Sequence, residues 1–383
     1  LLIISGVSHR TYIGHLLSIK VLVGIGLVSY SAYLWHWPIL AFLRYALVEI
    51  DLYLSTLVIG LSFELATVSY FFIETPLRKN NFSTRKIFLW YFIVPVTVMI
   101  TVLATTTLLI KYKSEFLFST ELMQANKNTL PASAYKYNCQ LGTFSSKAYH
   151  EDRCAYPNNI GNADMFLIGD SNAAHYLGML RVFSEEFDFS IRNVTHSDCP
   201  LILDGEFEWI KQSVKKGCSQ YRHSIFNEAK QYSTVVIGGS WDHYYAHNEF
   251  VEGFEQTIQK LSKNVKRVVI LAKVPIFPGY KNKCEILSLN FSNLSCSTRY
   301  INQKKEDISN HYLRKLANKY DNVQYFDIRD MICHGAECSP YLDNHPIYYD
   351  SGHLSMKGSE LLGKEMIETK DPMLNIFNNI KGE

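Results

Sequence analysis

Charged side chains are nearly absent from the first 110 residues of this chain and common afterwards. Eleven Asp, Glu, Lys and Arg precede residue 111, and 63 follow. One water-soluble core cannot reconcile two such parts. In the front part, residues 21–43 carry no charge, residues 52–73 only Glu64, and residues 87–110 none. Each run is long enough to cross a hydrocarbon layer about 30 Å thick as a helix rising ~1.5 Å per residue. Three transmembrane helices are therefore expected in residues 1–110, a tether or extension over 111–161, and an exported globular domain over 162–383.

The loop ETPLRKNNFSTRK, between the second and third runs, holds Arg78, Lys79, Arg85 and Lys86. Basic loops stay in the cytoplasm, so the third span runs outward and everything after Lys111 lies beyond the membrane. Arg10 and Lys20, before the first span, then fall inside, as alternation requires. The opening LLIISGVSHR lacks an initiator Met and the pattern of a signal peptide. Residues 1–8 read as the tail of an earlier span.

All eight cysteines lie in the exported part, where disulfides persist. Closeness in sequence pairs Cys139 with Cys154, Cys199 with Cys218, Cys284 with Cys296 and Cys333 with Cys338, although eight cysteines allow 105 pairings. A zinc site is the competing reading, but no CxxC occurs and the HGAEC stretch lacks a second close pair. Net charge is +3 before residue 111 and −1 after it, which argues against a nucleic-acid partner.

From residue 164 onward, short apolar runs alternate with helix-period segments. The runs 165–168, 190–194, 234–237, 268–271 and 323–326 have the character of strands buried on both faces. Between them, Phe250, Phe254, Ile258 and Leu261 mark one amphipathic helix, and Ile308, Tyr312 and Leu316 another. The fold class expected is α/β: a doubly wound parallel sheet following transmembrane helices. Its active site belongs at the carboxyl ends of the strands. Residues 111–161 show no clear period, and Cys139 and Cys154 are expected to hold part of them in place.

The segment DMFLIGDSNAAHY ends a buried strand at Gly169, Asp170 and Ser171, just before an Ala-rich helix start. A serine there exposes its hydroxyl beside backbone N–H groups and the positive helix end, which suits a nucleophile. Helix capping by Asp170, Ser171 and Asn172 explains the same residues. The segment YYDSGHLSMKGSELLG favours the nucleophile, because Asp350 and His353 stand three apart before the closing helix. A carboxylate so placed fixes an imidazole as a proton acceptor, giving the order Ser, Asp, His. His175, one turn beyond Ser171, could face the same cleft. His196, His243, His334 and His345 read as surface or structural residues. Trp241, Tyr244 and Tyr245 either stack on sugar rings or pack into the core.

GDS and DxxH are the first and last blocks of the SGNH (GDSL-type) hydrolases and acyltransferases, which residues 164–365 resemble. The resemblance implies that Ser171 is the nucleophile, His353 the base and Asp350 its orienter. The family's third-block asparagine is missing from VVIGGSWDHYY, so Gly239, Ser240 or Trp241 is the candidate oxyanion donor. THSDCP is the candidate second block. In the front part, VGIGLVSYSAYLWHWPIL and SYFFIETPLRK resemble the end of an acyltransferase-3 integral-membrane domain. That family moves acyl groups from cytoplasmic acyl-CoA to carbohydrates across the membrane.

Together the halves resemble bacterial acyltransferase-3 proteins fused to an exported SGNH domain, of the kind that O-acetylates lipopolysaccharide O-antigen. The resemblance implies an inner-membrane O-acetyltransferase with a periplasmic domain and a surface polysaccharide as acceptor. Acetyl-CoA would be the donor substrate, with no tightly bound cofactor and no metal. His36 and Glu64, ionisable groups inside apolar spans, are candidates for a part in acyl transfer, and Pro38 for kinking or ending the first span. Two other readings remain: a membrane-anchored carbohydrate O-acetyl esterase, and a carbohydrate-binding module in which Ser171, Asp350 and His353 are only caps.

Overall fold

The computed structural model describes residues 12–48, 50–79, 83–117, 120–157, 163–203, 205, 207–289, 294–299, 301–303 and 308–381. It divides into two compact units, Leu1–Leu117 and Phe118–Glu383. The tail read into residues 1–8 lies outside the described residues.

The front unit contains α1 (Lys20–Tyr45), α2 (Leu52–Ser69) and α3 (Val94–Leu117). Asp51 caps α2 by accepting from Leu54 N at 2.7 Å. Small buried side chains, Ser31 on α1 and Ser62 and Ala66 on α2, suit the close packing of these two helices. Two polar contacts tie α1 to α2 and to the helical turn Tyr70–Glu74 that continues it: Ser31 donates to Glu74 at 3.2 Å, and the Trp35 indole N–H donates to Ser69 at 2.8 Å. Pro38 sits inside α1 without ending it. Among the described residues, the stretches Leu52–Lys79 and Thr84–Leu109 are long and apolar enough to cross a membrane. The first expected span does form a helix but does not meet that standard. The Ser, Tyr, His and Trp residues of SYSAYLWHWP dilute its apolar character.

The second unit is built on a seven-stranded sheet. Its strands are β1 (Gln140–Leu141), β2 (Ala155–Tyr156), β3 (Met165–Gly169), β4 (Ile191–His196), β5 (Thr234–Gly238), β6 (Arg267–Leu271) and β7 (Val323–Phe326). They lie in the order β1-β4-β3-β5-β6-β7, all parallel, with β2 paired antiparallel to β4. The five expected strands form within two residues of their predicted limits. Order reverses beside β3, and the carboxyl edge at that switch is where such sheets bind ligands.

Every residue of β3, β4 and β5 is buried. On one face Phe166, Ile168, Val235, Ile237, Val268 and Ile270 pack with α6 (Gln212–Ala229) and α8 (Asn248–Ser262). The expected Phe250, Phe254, Ile258 and Leu261 stripe of α8 lies in that core. Around Phe326, Phe183 of α5 (Leu177–Phe187) and Phe377 pack edge-on, and α5 lies along α10 (Met356–Thr369).

In the helix α9 (Ile308–Ala317) two of the three predicted core positions hold, with Leu316 buried and Tyr312 packed against the core, and the first does not. Ile308 is 69% exposed, and the buried residues are Ser309, Asn310, Leu313, Leu316 and Ala317. Asn310 is turned inward because its amide brackets the backbone of Lys273, accepting from Lys273 N at 2.8 Å and donating to Lys273 O at 2.9 Å.

The extension is more than a tether. It forms a helix, Thr120–Asn128, and supplies β1 and β2, which flank β4. Buried Asn193 on β4 ties it down. Its carbonyl accepts from Cys139 N at 2.7 Å, and its amide donates to Tyr137 O at 2.8 Å and Cys154 O at 3.0 Å. Disulfides join Cys139–Cys154, Cys199–Cys218, Cys284–Cys296 and Cys333–Cys338, leaving no free cysteine. Cys199 and Cys218 are fully buried. Replacing both with serine should lower unfolding stability by about 2–4 kcal/mol, read as a drop in the thermal midpoint of the second unit.

Candidate active site

The site begins with a close approach of two backbones. Gly169 ends β3 at φ +129°, and a Cβ there would lie 1.9 Å from Gly238 O. At Gly238 a Cβ would lie 2.6 Å from Ala173 Cα. Glycine at both positions lets the ends of β3 and β5 meet under the helix start. From behind, the Tyr221 hydroxyl accepts from Gly169 N and donates to Val194 O, each at 2.9 Å, which ties β3 to β4.

Asp170 follows, buried to 1% exposure. It caps the short helix α4 (Ser171–Ala174) by accepting from Asn172 N at 2.7 Å. Its other oxygen accepts from Ser240 N at 2.9 Å and from the Tyr244 hydroxyl. Burial pushes its carboxyl up, against those hydrogen bonds, which favour the charge. The capping reading therefore holds for Asp170. Ser171 does something else: its hydroxyl lies 2.9 Å from His353 Nε2.

Asp350 and His353 share the turn before α10. His353 Nδ1 lies 2.9 and 3.0 Å from the two Asp350 oxygens, and Asp350 also accepts from Gly352 N at 2.9 Å and His353 N at 2.8 Å. Partial burial alone would raise the Asp350 carboxyl. The hydrogen bonds from His353 and the backbone outweigh it and hold the group below the usual carboxylate range. An ionised Asp350 fixes the Nδ1–H tautomer, leaving Nε2 free to accept a proton from Ser171. A hydroxyl, an imidazole and a carboxylate thus lie in one hydrogen-bonded chain, all half-buried, at the carboxyl edge of the sheet.

The three oxyanion candidates separate. Ser240 N is committed to Asp170, Trp241 N to Gly239 O at 2.9 Å, and the Trp241 indole to Leu271 O at 2.7 Å. Of the two readings of this run, core packing holds for Trp241 and Tyr244, the two ends of α7 (Trp241–Tyr244), which are 1% and 3% exposed. Among the described residues, Gly239 N–H and Ser171 N–H have no partner, and these two can face a developing oxyanion. The proposed second block, THSDCP, donates no hydrogen bond to Ser171, Asp350 or His353 among the described residues. His196 is buried against Tyr221, and Asp198 pairs with Lys211 at 2.7 Å. In the front unit, His36 and Glu64 both sit on exposed helix faces.

Sequence reading also missed Asn172 and Lys273. Asn172 Nδ2 lies 3.5 Å from His353 Nε2 and 3.3 Å from Asp170 Oδ1, while its oxygen accepts from Lys273 Nζ at 2.8 Å. The available signal was LAKVP, a lysine two residues after a buried strand. His175 does lie behind the site. It is 2% exposed, its ring centroid is 5.8 Å from that of His353, and its Nδ1 accepts from Leu354 N at 3.4 Å. Burial, then the neighbouring His353 and Lys273, holds its pKa well below the usual histidine value.

Two outcomes follow from this geometry. Gly169→Ala should cost about 3 kcal/mol or more through overpacking at a positive φ, read as loss of folded protein or a large fall in thermal midpoint. His175 stays neutral when folded but takes a proton near pH 6.5 when unfolded, so its contribution is intact above about pH 6.5 and declines below it. Thermal midpoints should therefore fall less between pH 7 and pH 5 in His175→Gln than in the unsubstituted chain.

The family model described as "SGNH domain (fused to AT3 domains)" matches residues 138–368. Over 69 residues the chain is 46% identical to the O-acetyltransferase OatA of Staphylococcus aureus, a match covering 18% of this chain and 11% of that protein. The match thus spans about a tenth of that relative's length. A solved structure of the periplasmic domain of lipopolysaccharide acetyltransferase from Salmonella ser. Paratyphi A superposes with a TM-score of 0.47 at 19% identity, covering 67% of this chain and 99% of that one. With more than half of its length matched by the family model, the chain belongs to the SGNH domains that are fused to AT3 domains.

Proposed function

We propose that this chain is part of an O-acetyltransferase that esterifies hydroxyls of a cell-surface polysaccharide through an acetyl-Ser171 intermediate. The observation that carries this is the hydrogen-bonded run from Ser171 Oγ through His353 to Asp350. Neutral His353 removes the Ser171 proton as Oγ attacks the acetyl carbonyl. Ser171 N–H and Gly239 N–H receive the charge that develops on the carbonyl oxygen. Protonated His353 then returns the proton to the departing donor group. In the second half, His353 deprotonates a sugar hydroxyl, which attacks the acetyl ester, and Ser171 leaves with its proton restored. Ionised Asp350 stabilises the imidazolium formed in each half.

In this reading, residues 12–117 belong to an acyltransferase-3 membrane domain in the bacterial inner membrane. The SGNH unit lies in the periplasm, acetyl-CoA is the cytoplasmic donor, and lipopolysaccharide O-antigen is the acceptor class. The membrane part carries acetyl to Ser171, with His36 and Glu64 as candidates for that step. The S. aureus relative named O-acetyltransferase supports the transfer chemistry, and the basic loop at 78–86 supports the orientation.

Ser171→Ala and His353→Ala should each lower acetyl transfer at least ~10³-fold, and Asp350→Asn by roughly 10²–10⁴-fold. Mass analysis of surface polysaccharide from cells carrying each variant measures this. Full acetylation with Ser171→Ala would overturn the intermediate. An anchored esterase is distinguished by offering the purified chain an aryl acetate with polysaccharide present: transfer diverts acetyl to the sugar, whereas an esterase releases acetate alone.

A further inference from the structure

Lys273 stands two residues beyond β6 and is only 4% exposed. Nζ donates to Asn172 Oδ1 and to Gly352 O, each at 2.8 Å. A buried charge is costly, and an ammonium group offers three donors and no acceptor. The cost fits what those oxygens belong to. Asn172 follows the Ser171 nucleophile, and Gly352 precedes the His353 base. A Cβ at Gly352 would lie 3.4 Å from Nζ, so the lysine packs directly against that turn. Asn310 of α9 grips the Lys273 backbone from both sides, which fixes the origin of the side chain.

We infer that Lys273 is a positioning residue whose ammonium clamps the serine-bearing turn to the imidazole-bearing turn and sets the orientation of the Asn172 amide. The inference rests on the proposed roles of Ser171 and His353. An amide can turn end for end, and Lys273 removes that freedom. Because the ammonium only donates, the Asn172 oxygen must face it. Nδ2 must then face Asp170 Oδ1 and His353 Nε2, at 3.3 and 3.5 Å. A positive charge on the oxygen end also polarises the amide and strengthens its N–H groups as donors. Three loops, after β3, after β6 and before α10, thereby converge on one nitrogen, and the 2.9 Å approach of Ser171 to His353 depends on their register.

The test uses the full chain with Lys273→Met and Lys273→Ala, the second leaving room for a small amine. For aryl acetate hydrolysis, kcat should fall on the order of 100-fold in both variants while KM stays within about twofold. Ethylammonium should restore at least tenfold of the Lys273→Ala loss, and propanol, similar in size but uncharged, should not. Hydrogen exchange of the peptide 347–354, read by mass spectrometry, should speed up about tenfold in both variants and slow again with ethylammonium. This second readout does not depend on catalysis. If Ser171→Ala hydrolyses the ester as well as the parent chain, the serine reading fails, and exchange alone decides the clamp.

Unchanged exchange in Lys273→Met overturns the inference, as does equal rescue by amine and alcohol. Should neither variant fold, Lys273→Gln, which keeps a donor and drops the charge, takes their place. Faster exchange with Gln supports the clamp, and parent-like exchange overturns it.

Discussion

Four donors converge on the carboxylate of Asp170, a group with almost no contact with water. Asn172 contributes its backbone and side-chain N–H groups, Ser240 its backbone N–H and Tyr244 its hydroxyl. These donors come from the start of α4 and from the loop and short helix after β5, the two segments that meet at the sheet's switch point. A charge buried this deeply is tolerated only when its hydrogen bonds are satisfied, so the carboxylate imposes one relative placement on both segments. Ser171 and Gly239 N–H inherit their positions from it. Beneath them, the side-chain-free contact of Gly169 with Gly238 allows the approach that the carboxylate then locks.

Much of this was readable from residue order because it is local. Runs of four or five residues, mostly apolar except in SIRNV, announced the five central strands, and GDS and DSGH announced the turns that follow β3 and precede α10. The disulfides were readable for a similar reason, since each closes a loop of modest length.

What escaped was decided by tertiary partners. Residue order left Trp241 and Tyr244 open between a sugar platform and the core, and Leu271 O and Asp170, which take their polar ends, decide for the core. On α9 the inward-facing Asn310 was missed because it is polar and holds Lys273, and periodicity counts only apolar positions. Residues 111–161 looked featureless because two-residue strands have no period at all. The polarity of α1 has a local origin, but its consequence for a membrane depends on neighbours that residue order does not give.

Asn193 and the short strands it anchors bear on how the sheet avoids pairing with other chains. Without them β4 would be the open rim of a parallel sheet, with a row of unpaired amides and carbonyls able to recruit another chain. β1 and β2 occupy that rim, and a covalent sulfur bridge between residues 139 and 154 closes the segment that bears them. Such a bridge endures where thiols are oxidised. There it helps keep the rim of the sheet covered against edge-to-edge aggregation, and reduction would remove the covalent part of the protection.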